Sequence, residues 1–328
     1  MVGLPRVFLT QRLPDPTMRR LREESELLFG ENDRPLSRKD LVQGAQHADG
    51  MICLLNDRID GELLDALPNL KVVSNYAVGF NNIDVEAATS RQVAVTNTPG
   101  VLADCTADMT WALLLAAARR VVEGDSLVRS GEWEGWDPRQ LLGTEVTGAT
   151  LGLIGLGQIG QAVSRRARGF DMRQLYWSRH RRSEAVEEDL GVEYRELNEL
   201  VAESDFVSVH VALNEQTRHL LGRTEFSSMR STAIVVNTSR GPVIDESAMI
   251  ESLQRGEIAG AGLDVFEHEP SIPTKLREMP NVVLAPHLGS ATLRTRCKMG
   301  DLAVTNCLAA CAGRLPPNLV NDSWRPRV

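Results

Sequence analysis

The sequence predicts an α/β protein made of two doubly wound parallel-sheet domains. Three observations predict this class. Short apolar runs alternate with helix-like segments through both halves of the chain, and such alternation is typical of parallel sheets covered by helices on both faces. A glycine-rich turn at residues 155–160 stands between a strand and a helix at the start of the second half. The 328 residues are also enough for two domains of ordinary size.

The first half reads as one small α/β domain over residues 1–98. Its predicted strands are 7–10, 26–29, 50–55, 70–74 and 93–96, and its predicted helices are 15–24, 60–67 and 84–91. The sequence Asn97-Thr98-Pro99-Gly100 interrupts the alternation, so we expect a hinge there. The run 103–129 has apolar residues near helical spacing and predicts one long interdomain helix.

The second half repeats the architecture over residues 99–289. Its predicted strands are 150–154, 174–177, 205–210, 233–237, 259–265 and 281–285, and predicted helices include 161–170 and 245–255. A final helix, 291–312, is expected to end at Gly313, since Pro316 and Pro317 prevent its continuation.

The turn after the first strand of this half predicts a dinucleotide site. In G-x-G-x-x-G, Gly155 permits the tight turn, Gly157 admits a pyrophosphate, and Gly160 lets the helix pack on the strand. The free N–H groups at the start of the helix that follows would hold the phosphates, and Gln158 and Ile159 of the same turn are expected among the cofactor contacts. A glycine-rich turn in another α/β protein, or a site for a different nucleotide, is the alternative.

The loop after the next strand favours NADP(H) over NAD(H), which remains the second candidate. An NAD enzyme usually places a carboxylate about twenty residues beyond the glycines, against the ribose 2′-hydroxyl. This chain instead has Ser178, Arg179 and Arg181, and the first carboxylate comes only at Glu184. A hydroxyl and arginines can bind and neutralise a 2′-phosphate. The alternative is a solvated basic loop.

Three polar residues follow strand ends in the second half and suit carbonyl reduction. They are Arg240, Glu269 and His287, and strand ends of one parallel sheet converge on one crevice. Arg240 would bind a carboxylate or carbonyl oxygen, His287 would give it a proton, and Glu269 would orient the imidazole. Each residue alone is more often solvated or structural.

Composition excludes several other classes of protein. A net charge of −8 argues against a nucleic-acid partner. No apolar run approaches membrane-spanning length, and the first residues lack a signal-peptide core. The cysteines show no C-x-x-C pair and no metal-ligand spacing, so we expect free thiols, no metal and a cytoplasmic location.

Several motifs together resemble the D-2-hydroxyacid dehydrogenase family, and most closely its glyoxylate/hydroxypyruvate reductase branch. The matching stretches are 76–84, 96–100, 155–160, 237–241, 262–270 and 285–292, in the family's order. The resemblance implies a flavodoxin-like substrate domain and a Rossmann-type nucleotide domain with a cleft between them. It also implies that the last helix returns to the first domain, so that residues 1–98 and 290–328 form one discontinuous unit.

The resemblance implies further site residues. Arg240, Glu269 and His287 match the family's catalytic residues, and Glu269 rather than Glu267 is chosen because it directly precedes Pro270. The substrate contacts implied are Leu55, the backbone donors Val78 and Gly79, Ser290, and Trp136 from a partner subunit, which implies a homodimer; the cofactor contacts implied are Thr106 and Asp264. Asn81 departs from the family's usual Asp, with little expected effect on mechanism.

The sequence thus predicts an NADPH-preferring reductase of glyoxylate and hydroxypyruvate. A D-lactate or phosphoglycerate type of dehydrogenase is the alternative within the family. A formate dehydrogenase is disfavoured because that branch has Gln at the position of Glu269. A nucleotide-sensing transcriptional corepressor of the same fold is the non-enzymatic alternative.

Overall fold

Two parallel sheets organise the chain, and the computed structural model describes residues 3–29 and 34–325 of it. The chain divides into a first unit, Met1–Leu102 with Ala291–Val328, and a second unit, Ala103–Ser290. The chain therefore leaves the first unit once and returns to it at its final helix. No helix in the described part combines the length and the apolar character that a bilayer crossing needs.

The first unit holds a five-stranded parallel sheet in the order β2-β1-β3-β4-β5. Its strands are β1 Arg6–Leu9, β2 Glu26–Phe29, β3 Gly50–Cys53, β4 Val72–Asn75 and β5 Ala94–Thr96; its helices are α1 Asp15–Glu24, α2 Arg38–Ala45, α3 Gly61–Ala66, α4 Val85–Ser90 and α13 Leu293–Cys311. This is the flavodoxin-like order, whose switch point lies between β1 and β3.

Alternate residues of β1 show why both faces of this sheet need helices. Phe8 packs into one buried cluster with Leu41 of α2 and Leu63 of α3. Its neighbours Val7 and Leu9 point to the opposite face and pack with residues of α1 and α13. Side chains alternate between faces along a strand, so the three consecutive apolar residues of β1 require cover on both faces of the sheet.

The second unit holds a seven-stranded parallel sheet in the order β12-β11-β10-β9-β6-β7-β8. Its strands are β6 Thr150–Ile154, β7 Arg173–Trp177, β8 Val192–Tyr194, β9 Phe206–Val209, β10 Ile234–Asn237, β11 Gly260–Leu263 and β12 Val282–Leu284; its helices are α5 Ala103–Ala118, α6 Val121–Ser130, α7 Gln158–Ala167, α8 Glu184–Leu190, α9 Leu197–Glu203, α10 Arg223–Ser228, α11 Glu246–Arg255 and α12 Thr274–Arg277.

This order is the Rossmann order with one further strand at the edge, and its switch point lies between β6 and β9. Helices cover both faces here as well. Val207 and Val209 of β9 pack with Leu200 and Phe226 on one side, whereas Phe206 of the same strand packs with helices α5 and α7 on the other. The predicted class, with two parallel sheets, is confirmed.

The predicted continuous helix 103–129 is wrong. Helix α5 ends at Ala118, and Arg120, at φ 52°, stands before the start of α6 at Val121. The backbone N–H of Thr144 donates to the carbonyl of Ala118 at 2.8 Å. In an unbroken helix the carbonyl of Ala118 would accept the N–H of Val122. Here the N–H of Thr144, from a segment that crosses the end of α5, replaces that donor. The apolar spacing continues past the break and therefore did not reveal it.

Candidate active site

The glycine turn joins β6 to α7 and has the shape that a dinucleotide needs. Gly155 adopts φ +102°, and a Cβ on it would lie 2.9 Å from the backbone of His210. A Cβ on Gly160 would overlap the carbonyl oxygen of Gly155. Both positions therefore require glycine.

Gly157 differs from these two glycines because no atom lies within 4 Å of the Cβ it lacks. It is the N-cap of α7, which begins at Gln158 and not at Gln161 as predicted. The backbone N–H groups of Gln158, Ile159 and Gly160 are thus in the first helical turn, where they have no intrahelical acceptor. Open space over unpaired N–H groups fits a pyrophosphate.

The polar side chains of the basic loop after β7 already make hydrogen bonds to other groups of the protein. Ser178 donates to the carbonyl of His180 at 2.6 Å, and Arg179 donates to the side chain of Gln216 at 3.1 Å. Arg181 makes two 2.8 Å hydrogen bonds to the carboxylate of Glu187 in α8. This bond with Arg181 lowers the pKa of Glu187 to about 2. Arg181 is therefore already neutralised, which makes Arg179 the better candidate for a phosphate.

His287 and Glu269 form a hydrogen-bonded pair. The Nδ1 atom of His287 lies 2.9 Å from Oε2 of Glu269, and Oε1 of Glu269 accepts the N–H of Phe266 at 3.0 Å. A carboxylate only accepts, so Nδ1 carries the hydrogen and Nε2 remains for other chemistry. About a third of each side chain stays exposed, 32% and 33%, so a small molecule can reach the ring.

Asp264 holds the turn on which His287 stands. Its two carboxylate oxygens accept the N–H groups of Leu288 and Gly289 at 2.6 and 2.7 Å. Its carbonyl accepts the N–H of His287 at 2.9 Å, and His287 adopts the left-handed φ of 57°. Burial raises the pKa of Asp264, although the two N–H donors act against that rise. The predicted contact of Asp264 to a nicotinamide carboxamide stays a prediction.

Arg240 stands on a tight turn after β10. The side chain of Asn237 accepts from Ser239 and donates to the carbonyl of Arg240 at 3.0 Å. The guanidinium donates to the carbonyl of Ser239 at 2.7 Å. Burial lowers the pKa of Arg240, and the negative charge of Glu269 partly offsets this effect. Arg240 and His287 therefore both interact with Glu269, and the second unit brings the predicted triplet together.

Two threonines that sequence analysis missed join this turn to helix α5. The hydroxyls of Thr110 and Thr238 lie 2.8 Å apart, and Thr110 donates to the carbonyl of Thr106 at 2.9 Å. Because the Thr110 proton is used there, Thr238 must be the donor to Thr110. A Cβ on Gly289 would lie 3.3 Å from Thr106, so Thr106 lies next to the turn of His287. Nothing in the residue spacing could have revealed this contact.

In the first unit, the loop after β4 presents free backbone N–H groups. The carbonyls of Ala77, Val78 and Gly79 accept hydrogen bonds from Thr98, Asn97 and Asn75 at 2.9, 2.8 and 2.7 Å. No described residue accepts from the N–H of Val78 or Gly79. Successive unpaired N–H groups can bind an anion. Leu55 lies in the neighbouring turn, after β3.

The remaining predicted site residues are placed as follows. Ser290 directly follows Gly289 and is partly buried, whereas the side chain of Trp136 is 84% exposed. None of the five cysteines forms a disulfide bond. Within residues 3–29 and 34–325, no three His, Cys, Asp or Glu side chains are arranged to hold a metal ion.

Comparison with known proteins agrees with this geometry. Residues 111–289 match the family model of the D-isomer specific 2-hydroxyacid dehydrogenase, NAD binding domain. A glyoxylate reductase of Korarchaeum cryptofilum is 50% identical over 97% of this chain and 96% of its own, and one of Thermococcus litoralis is 47% identical over 97% of each.

A solved structure extends the comparison to three dimensions. It is an NADPH-dependent glyoxylate/hydroxypyruvate reductase from Sinorhizobium meliloti in complex with NADP and malonate. It is 32% identical, covers 99% of both chains and has a TM-score of 0.87. The chain therefore belongs to the D-isomer specific 2-hydroxyacid dehydrogenase family and is an NAD(P)-dependent dehydrogenase.

Proposed function

We propose that the protein reduces glyoxylate to glycolate and hydroxypyruvate to D-glycerate, with NADPH as its preferred cofactor. The observation that carries this proposal is the bond between His287 and Glu269, with the partly buried Arg240 close enough for the charge of Glu269 to act on it. That arrangement supplies a proton, a group that orients it, and a cation for an anionic oxygen. The relatives described above as glyoxylate reductases support this choice of substrate.

The roles of these side chains follow from their chemistry. When bound, the reduced nicotinamide supplies the hydride that the carbonyl carbon needs. His287 gives the proton on Nε2 to the carbonyl oxygen, and Glu269 stabilises the imidazolium and orients its ring. Arg240 binds the carbonyl or carboxylate oxygen of the substrate, and its planar fork suits two parallel hydrogen bonds.

The substrate carboxylate is proposed to bind the N–H groups of Val78 and Gly79. No described residue accepts a hydrogen bond from these two N–H groups, so they remain for a ligand. Leu55 and Ser290 are proposed to contact the rest of the substrate. For the cofactor, Gly155, Gly157, Gln158, Ile159 and Gly160 are proposed to hold the pyrophosphate, and Thr106 and Asp264 the nicotinamide half.

The preference for NADPH is proposed to depend on Ser178 and Arg179. Arg181 is proposed to contribute less, because its charge is paired with the carboxylate of Glu187. The NADPH-dependent relative of known structure supports this choice. Arg179→Ala should raise the KM for NADPH by about tenfold and leave that for NADH unchanged, since only the former carries the 2′-phosphate. Equal loss with both cofactors would assign Arg179 another role.

A homodimer is proposed because apolar residues of the second unit have no cover among the described residues. Helix α6 buries none of its residues, and Val128, Trp133 and Trp136 are 60%, 52% and 84% exposed. Exposed apolar patches of this kind mark interfaces. Sedimentation velocity should give a dimer that Val128→Asp dissociates, while Leu315→Asp, at a 65% exposed leucine of the first unit, should leave it intact.

The central test is a steady-state panel of 2-oxo acids with both cofactors, followed through the absorbance of NADPH. The panel should contain glyoxylate, hydroxypyruvate, pyruvate and phosphohydroxypyruvate. The proposal expects the highest kcat/KM for glyoxylate or hydroxypyruvate with NADPH. A maximum at pyruvate or phosphohydroxypyruvate would indicate a D-lactate or phosphoglycerate type of dehydrogenase. Peptide binding with negligible turnover would indicate a corepressor instead.

A further inference from the structure

Two asparagines of the first unit form a reciprocal pair of side-chain amides. Asn75 is the last residue of β4 and is fully buried, and Asn82 lies in the turn before α4. The Nδ2 of Asn75 lies 3.2 Å from Oδ1 of Asn82, and the Nδ2 of Asn82 lies 3.3 Å from Oδ1 of Asn75. Each amide therefore donates to and accepts from the other.

The remaining hydrogens of the two amides reach two different loops. Asn75 donates to the carbonyl of Gly79 at 2.7 Å. Asn82 lies 3.1 Å from the carbonyls of both Leu54 and Asp57. Carbonyls only accept, so these contacts fix which end of each amide carries the hydrogens. One amide pair thus joins the loop after β4 to the turn after β3.

The turn after β3 is itself well ordered by a second buried side chain. The carboxylate of Asp57 accepts the N–H of Leu54 at 2.8 Å and the hydroxyl of Thr10. Leu55 lies between the two carbonyls that Asn82 binds. A shift of Asn82 would therefore move the turn that carries Leu55 and, through Asn75, the peptide unit between Gly79 and Phe80 at the end of the loop after β4.

We propose that Asn75 and Asn82 are positioning residues that hold the carboxylate-binding N–H groups of Val78 and Gly79 in register with Leu55. The amide pair ties the end of the loop after β4, at the peptide unit that joins Gly79 to Phe80, to the turn of Leu55. Hydrogen bonds from Thr98 and Asn97 to the carbonyls of Ala77 and Val78 orient the preceding peptide units, which contain the N–H groups of Val78 and Gly79. The N–H groups that would receive the substrate then face one direction before the substrate arrives. This inference depends on the proposed binding of a 2-oxo acid at this loop.

The test uses Asn82→Ala and compares glyoxylate with its methyl ester. Both substrates have the same aldehyde carbonyl, but only glyoxylate has the carboxylate. A displaced group in an active site costs up to about 10²-fold, so kcat/KM for glyoxylate should fall roughly 10- to 100-fold, mostly through KM. The rate with the ester and the KM for NADPH should stay within about twofold. An equal fall with both substrates, or an unchanged ratio, would overturn the positioning role.

Asn321→Ala is the matched control. This buried amide of the same unit binds Val93, Val95 and Thr89 and contacts neither loop. It should lower the melting temperature and leave the ratio between the two substrates unchanged. A ratio that changes equally in this control would show that any loss of a buried amide produces the effect.

Asn82→Asp keeps the size of the side chain and removes the donors to the carbonyls of Leu54 and Asp57. It replaces Asn82→Ala in the same assay if that variant does not fold. It should show the same selective loss. If the wild-type protein does not reduce glyoxylate at all, the proposed function fails. If the wild-type protein does reduce it and both variants keep the wild-type ratio, only the positioning role fails.

Discussion

The Nδ1 atom of His287 and the Oε2 atom of Glu269 lie 2.9 Å apart, and the second oxygen of the carboxylate is held by the N–H of Phe266. The ring is therefore oriented by a carboxylate whose other oxygen is held by the backbone. Because the two residues come from loops after different strands, the sheet and not the local chain brings them together.

Removing either member of this pair should reduce activity and leave the fold intact. His287→Ala removes the proton donor and should lower kcat on the order of 10²–10⁴-fold. Glu269→Gln keeps the shape and loses the charge-assisted bond, with an expected loss on the order of 10- to 100-fold. Stopped-flow and steady-state assays measure both, with circular dichroism as the control for folding. Wild-type turnover by His287→Ala would contradict the assigned role.

The acid side of the pH profile should reflect Glu269. Burial tends to raise its pKa, but the hydrogen bond and charge of His287 outweigh burial, so the pKa lies below that of an ordinary glutamic acid. A depressed pKa means that the pair is intact above the ordinary value and is lost as the pH falls through the lowered one. In the wild-type protein kcat/KM should hold through the ordinary glutamate range, and Glu269→Gln should lack this acid-side step. A step at the ordinary glutamate pKa would contradict the assignment.

The two glycines at the start of α7 should respond differently to alanine. Gly160→Ala should lower the melting temperature of the cofactor-free protein, because its Cβ would overlap the carbonyl of Gly155. Gly157 has φ −79° and open space at its Cβ position, so Gly157→Ala should leave that melting temperature unchanged. It should still weaken cofactor binding, since the methyl group would occupy the space for the pyrophosphate. Fluorescence titration with NADPH, beside thermal melts, measures both effects. Unchanged affinity in Gly157→Ala would move the phosphate site elsewhere.

Glu187 should limit the preference for NADPH, because its carboxylate neutralises Arg181. Glu187→Gln keeps the hydrogen-bonding shape and removes the charge, so Arg181 would become available to a 2′-phosphate. The ratio of kcat/KM for NADPH over NADH should rise several-fold, as an added charge-assisted bond would produce. Adding Arg181→Ala should cancel the gain. A rise that persists in the double variant would exclude Arg181 as its source.

The hydroxyl pair of Thr110 and Thr238 should position Arg240. Thr110→Val keeps the shape and leaves the hydroxyl of Thr238 without its acceptor, a loss of about 1–3 kcal/mol in stability. It should also raise the KM for the 2-oxo acid, because the turn of Arg240 loses its link to α5. Thr110→Ser restores the hydroxyl and should recover the wild-type KM. Ser204→Ala removes another buried hydroxyl bond of the same unit and should change stability only.

The sequence by itself determined the fold class and the identity of the main chemical groups. Strands such as Glu26–Phe29 and helices such as Asp15–Glu24 agree with their predicted bounds, because apolar periodicity reports burial directly. The glycines at 155, 157 and 160 and the polar residues after the strand ends were identified because their chemistry depends on residue type. Short elements such as α2, β8 and α10 were missed, since a few residues carry too little periodicity.

Only the tertiary structure decided how these groups are held. The break at Arg120 depends on Thr144 crossing the end of α5, and the pairing of Arg181 depends on the position of α8. The amides of Asn75 and Asn82 likewise act on carbonyls of two loops that are distant in sequence. Such contacts are set by which segments pack together, and a one-dimensional pattern of residue types contains no direct record of that packing.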